Sequence, residues 1–210
     1  MEPDPTLVAT RRALHGVAEL VLAGPQHAAM DTVRLRVVPG GLATSVSEPP
    51  TRLVGNRVER ADASTSIDGS TPRELAAALG LVAGTLDHVY RDGSGVGLDE
   101  TLHVDDDAVA TLVHAWSVGD EALRLLDPAQ APVLWPEHFD VGISLGEVNY
   151  GVSPGDTTIP VPYAYVGPWQ VPAADDFWDQ PFGAARLISN LSGVDALHAF
   201  LEEGRQRLGR

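Results

Sequence analysis

The sequence has no cysteine, which excludes disulfides, thiolate nucleophiles and cysteine-ligated zinc. It has no lysine either, since all 14 basic residues are arginine. An internal Schiff base with pyridoxal phosphate, a Walker lysine and a lysine general base are therefore ruled out. No run approaches the roughly 18 apolar residues that a membrane span requires. The opening Met1-Glu2-Pro3-Asp4-Pro5 lacks a basic region followed by an apolar core, so no signal peptide is expected and the cytoplasm is the expected compartment. Positive charge is scarce too: 29 acidic residues stand against 14 basic ones, a formal net charge of -15. Such a surface repels phosphate backbones, and the arginines are scattered rather than clustered, so neither nucleic acid nor an anionic membrane is an expected partner.

What remains is a chain of 210 residues with 44% hydrophobic content, enough to bury a substantial core. One domain over 1–210 is expected, with an N-terminal lobe at 1–90 and a C-terminal lobe at 130–210 as the alternative. The chemistry is left to His, Asp, Glu, Ser, Thr, Tyr and Arg.

Apolar spacing predicts a helix over Thr6–Leu22, ended by Gly24 and Pro25. Val33, Leu35 and Val37 alternate with Arg34 and Arg36 as in a half-buried strand, and Pro39-Gly40-Gly41 turns into a second strand at Leu42–Val46. Glu48–Gly55 reads as loop and Arg57–Ile67 as one weakly apolar edge strand. Thr71, Pro72 and Glu74 spell a capping box before a short helix stopped at Gly80. Asp105 is placed to cap a longer helix whose face carries Val109, Leu112, Val113, Trp116 and Leu123. Ser192 and Asp195 pair as a capping box before a C-terminal amphipathic helix. Hairpins and separate helices together predict an α+β fold, an antiparallel sheet with helices packed on one face.

Two motifs fail on chemistry. Gly151-Val152-Ser153-Pro154-Gly155 matches the G-x-S-x-G nucleophile elbow, but the oxyanion hole needs the backbone N–H that Pro154 lacks. A Pro-Gly turn with Ser153 or Asp156 bonding local backbone is the expected arrangement. Asp105-Asp106-Asp107 is better explained by the positive end of the following helix than by a metal.

The segment Leu134–Trp169 then organises the functional reading, as a hairpin with a polar and aromatic face. Phe139, Val141, Ile143 and Leu145 alternate with His138, Asp140, Gly142 and Ser144; further on, Tyr163, Tyr165, Gly167 and Trp169 share a face. If the two strands pair, a His/Asp/Ser row lies beside a Tyr/Tyr/Trp row, a reasonable small-molecule site. The ligand-binding candidates are His138, Asp140, Ser144, Tyr163, Tyr165 and Trp169. The competing expectation is structural: a hydrogen-bonded His–Asp pair and an aromatic stripe beneath the C-terminal helix.

Leu134-Trp135-Pro136-Glu137-His138-Phe139-Asp140, Ser153-Pro154-Gly155-Asp156 and Pro162-Tyr163-Ala164-Tyr165-Val166 resemble an uncharacterised bacterial family, domain of unknown function 5996. The likeness covers about the last third of the chain and implies no activity. The all-arginine, Ala/Val/Gly-rich composition suggests an actinobacterial source. Val33–Gly80 also resembles, in patterning alone, part of the sterol-carrier-like domains attached to mycothiol-dependent isomerases, which implies a small apolar ligand.

The leading expectation is a cytoplasmic small-molecule-binding protein with no resident cofactor. The alternatives are a divalent-metal-dependent hydrolase or isomerase using His138 and Asp140 with Glu147 or Asp156, and a homodimeric or partner-binding interaction module.

Overall fold

The computed structural model describes residues 4–209, so Met1, Glu2 and Pro3 of the stretch read for a leader lie outside the described residues. The fold is α+β with antiparallel strand pairing. Contacts divide the chain into two compact units. One runs through Val113 and adds Leu134–Phe139; the other comprises His114–Val133 and the chain from Asp140 onward.

The first unit opens with helix α1 (Pro5–Val17), a π-helical stretch (Ala18–Ala23) and helix α2 (Gly24–Met30). The expected stop at Gly24-Pro25 is absent, and the π stretch explains why. Gly24 donates to the Glu19 carbonyl five residues back, so the ladder is already widened where Pro25 brings no donor. The same widening leaves the Leu20 carbonyl to accept Gly84 N–H at 3.0 Å. The chain approaches so closely there that a Cβ on Gly24 would lie 2.2 Å from the Gly84 oxygen.

Strands β1 (Leu35–Val38), β2 (Gly41–Thr44), β3 (Thr51–Val54), β4 (Arg57–Arg60) and β5 (Ala63–Ser66) follow as a meander, and β6 (Val133–Trp135) pairs with β1 through Leu35 and Leu134. The expected loop at 48–55 thus contains β3, and the expected strand at 57–67 is two strands joined by a turn. Leu42, Leu53 and Val58 stand opposite one another, fully buried, and the π stretch packs on β2 and β3. Helix α3 (Pro72–Ala78) has the expected capping box: Thr71 and Glu74 each bond the other's backbone.

Helix α4 (Asp106–Leu126) is capped by the Asp105 carboxylate, which accepts Ala108 N–H at 2.9 Å. In the second unit its Gly119 meets Val141 and Val152 so closely that a Cβ would come within 2.8 Å of Val152. There the sheet order is β7 (Asp140–Ser144), β8 (Val148–Ser153), β9 (Tyr163–Pro168), β10 (Ala184–Leu187). Helix α5 (Val194–Arg207) lies on β9, with Gly204 against Val166. Its N-cap is Gly193 at φ 90° with no side-chain bond, so the expected Ser192/Asp195 capping box does not form. Helices therefore cover one face of this sheet, the face of Val141, Tyr150, Val152, Ala164 and Val166. Among the described residues no helix is long and apolar enough to cross a membrane.

Candidate functional site

The register of β7, β8 and β9 decides which candidates meet. The expected hairpin between 138–145 and 162–169 is instead a three-stranded meander, because Val148–Ser153 pairs with both. Asp140, Gly142 and Ser144 alternate with the helix-covered residues and so share the opposite face with Asn149, Gly151, Ser153, Tyr163 and Tyr165. Gly142 stands opposite Gly151, and Gly151 opposite Tyr165. The missing side chains leave a trough in which the Tyr165 ring lies, in the manner of aromatic rescue of strand glycines. A Cβ on Gly151 would sit 2.5 Å from the Tyr165 hydroxyl oxygen.

Across that trough the Tyr165 hydroxyl donates to Asp140 Oδ2 in a short hydrogen bond. Tyr163, with its ring centroid 6.4 Å from that of Tyr165, donates to Asp156 Oδ2 at 2.6 Å. Asp156 Oδ1 accepts from Thr158 and Ile159 N–H at 2.6 and 2.8 Å, and Ser153 Oγ accepts from Gly155 N–H at 3.1 Å. The Pro-Gly turn thus takes the form expected from its sequence. Burial first, then the adjacent carboxylates, push both phenols above the ordinary tyrosine range. Both hydroxyls therefore stay protonated at neutral pH.

The remaining candidates lie elsewhere. His138 precedes the strand instead of sharing its face with Asp140. Phe139, at φ 58°, ends a turn closed by its N–H on the Trp135 carbonyl, and that break in the pleat removes the expected alternation. The His138 side chain is exposed, with Glu137 4.0 Å away. Ser144, Glu147 and Trp169 gather at the far end of the strands: Ser144 donates to Asn149 Oδ1 at 2.7 Å, and Trp169 N–H donates to the Glu147 carbonyl at 3.0 Å. Strand rise puts that end about 13 Å from Asp140. Asp140 and Asp156 therefore keep company, while Glu147 does not join them. Among the described residues no three His, Asp or Glu side chains form a metal-holding group. Nor does the aromatic stripe lie under the C-terminal helix, since α5 covers the opposite face.

A second constellation, in the first unit, escapes sequence reading. Glu19 is buried on the π stretch and accepts from Ser94 N–H at 2.9 Å and Ser94 Oγ at 2.5 Å. Tyr90 is held above the ordinary tyrosine range by burial and then by Glu19. One turn earlier, His15 donates from Nε2 to the Pro136 carbonyl at 2.6 Å and stacks on Phe139 with centroids 4.8 Å apart. A carbonyl only accepts, so the proton belongs on Nε2. Burial, opposed by the Pro136 bond and by Glu19, lowers the His15 pKa. The available signals were i,i+4 spacing of His15 and Glu19 and a glutamate on an otherwise apolar helix face. Neither names loop residues 90–94 as partners.

The site is thus a carboxylate–phenol face on one end of an antiparallel sheet, on an α+β chain. Compared with family models, curated proteins and solved structures, the chain matches none.

Proposed function

We propose that the protein is a cytoplasmic small-molecule-binding protein whose site is centred on Asp140, Tyr163, Tyr165 and Asp156. The observation that supports this reading is the pairing of two buried phenols with two carboxylates on the sheet face that α4 and α5 leave uncovered. Each phenol spends its proton on a carboxylate and keeps acceptor capacity on its oxygen. The array is therefore rich in acceptors, and it suits a ligand bearing N–H or O–H donors, with the tyrosine rings as an apolar wall. Thermal-shift screening of a library of amines, amides and polyols tests this. Hits should stabilise the wild type and lose that effect in Tyr165→Phe and Asp156→Asn; a library that shifts all three proteins equally, or none of them, removes the proposal.

A second reading, an interaction module, is supported by Trp169, which is 68% exposed beside the exposed Val171. Tryptophan is enriched among the residues that dominate protein interfaces. Solution mass decides: a dimer that Trp169→Ala converts to monomer supports it, and a wild-type monomer argues against a homodimer.

A further inference from the structure

A separate feature of the first unit points to a ligand of defined charge. Arg60 ends β4 on the inward face, because strand alternation places it with Val58, opposite Thr51 and in line with buried Leu53. Its Nε is buried without a hydrogen-bond partner, and the guanidinium forms no ion pair with any described residue. Six other described arginines pair with carboxylates. A buried Nε–H without a partner is costly, and a guanidinium is shaped to hold a carboxylate through two parallel bonds.

Arg60 lines a cavity of about 130 Å³ between the helical segment and the sheet. Its walls are apolar where Leu22, Pro25, Met30 and Leu81 meet it, and its second charged residue is Glu48. Gln26 also lines it, but that amide is occupied: it donates to the Thr32 and Arg34 carbonyls and accepts from Ser45 and Val46 N–H. Arg60 and Glu48 thus face one cavity with opposite charge and no ion pair between them.

We propose that this cavity binds a small zwitterion, an α-amino acid with an aliphatic side chain. An apolar cavity of about 150 Å³ accommodates benzene, so this one takes roughly the carboxylate, the α-carbon and the branched side chain of such a ligand, with the ammonium group at the open mouth beside exposed Glu48. The carboxylate engages Arg60, the ammonium group engages the more exposed Glu48, and the side chain packs on Leu22 and Leu81. The opposed charges favour a zwitterion over a simple carboxylate, which would meet Glu48 as a repulsive neighbour.

Isothermal titration of the full chain with L-valine, isovalerate and isobutylamine tests this. L-Valine should bind saturably, and the two singly charged analogues at least about tenfold more weakly, since each leaves one charged partner unmet. Arg60→Gln and Glu48→Gln should each weaken L-valine by a similar factor, and Leu81→Trp should abolish binding by filling the cavity while keeping both charges. If Arg60→Gln fails to fold, the exposed Glu48 variant and the analogues decide. Absence of saturable L-valine binding overturns the proposal, as does isovalerate binding as tightly as L-valine or Leu81→Trp binding unchanged. L-Valine affinity that persists in Arg60→Gln and Glu48→Gln overturns it too. Affinity lost in Tyr165→Phe but kept in Leu81→Trp would place the binding on the carboxylate–phenol face instead.

Discussion

Glu19 of the first unit and Asp140 of the second are both buried carboxylates, used in opposite ways. In the first, Glu19 gathers donors from a loop: the Ser94 amide and hydroxyl close on it, and the Tyr90 phenol lies close by. Nearby, Arg12 ties Glu100 and the Gly95 carbonyl to helix α1. These acidic groups fasten irregular chain to a helix, where backbone donors have no ladder to join. In the second unit Asp140 takes a phenol from two strands away, across glycines, whereas Asp156 takes a phenol and also ties its own loop through Thr158 and Ile159 N–H. No loop needs the Asp140–Tyr165 bond for its path. A carboxylate that organises a loop is explained by the fold; the Asp140–Tyr165 pair, spanning three strands on the face opposite α4 and α5, is what the proposed ligand site rests on.

The comparison can be broken first at Tyr165. Tyr165→Ala removes a ring seated over two glycines together with one hydrogen bond to a buried carboxylate. It should cost about 3 kcal/mol in urea unfolding, mostly packing. A loss under about 1 kcal/mol would mean that the ring contributes little to the sheet. Next, Glu19→Ala should cost about 2 kcal/mol, because it leaves the Ser94 donors without their acceptor. A double-mutant cycle with Ser94→Ala should show coupling; strict additivity would contradict the staple.

The His15 pair sharpens the comparison through pH. Burial lowers the His15 pKa in the fold, so the unfolded chain binds the proton more readily. Stability from this group is complete above the ordinary histidine pKa and declines as pH falls below it. Urea midpoints measured from pH 7 to pH 5 should drop for the wild type (a range set by the ordinary value), and His15→Gln should lack that component. Glu19, Arg11 and His138 all act on this imidazole, so the comparison uses one background throughout.

The smallest effect belongs to Arg12. Its hydrogen bond, then that of Gly97 N–H, holds the Glu100 carboxyl at about 2. The stabilisation is present above the ordinary glutamate pKa and is lost as pH falls through about 2. The pair is largely exposed, so Arg12→Gln should cost at most about 1 kcal/mol at neutral pH and less in high salt.

Local chemistry was the legible part of the sequence. Thr71, Pro72 and Glu74 announced α3, and Asp105 announced the start of α4, because caps are satisfied by residues three or four positions away. Strand β8 was hidden because Gly151, Ser153 and Pro154 carry turn chemistry, and only its pairing on both sides makes it a central strand. The break at Phe139 was hidden for a related reason: a positive φ on an aromatic residue is imposed by tertiary packing and has no local signature. The alternation of Asp140, Gly142 and Ser144 was readable, as was that of Tyr163 and Tyr165. That these rows meet across Gly151 depends on register, which the sequence leaves open. The buried Glu19 and the inward Arg60 were beyond reach because their environments are built by residues tens of positions away.

The most direct test of the central claim is a binding isotherm for the strongest ligand from the thermal-shift screen, measured on wild type and on Tyr165→Phe under conditions where both are fully folded. The carboxylate–phenol face predicts an affinity at least about tenfold weaker in the variant, equivalent to about 1.4 kcal/mol. Equal affinities would show that the pair is structural and that the ligand binds elsewhere.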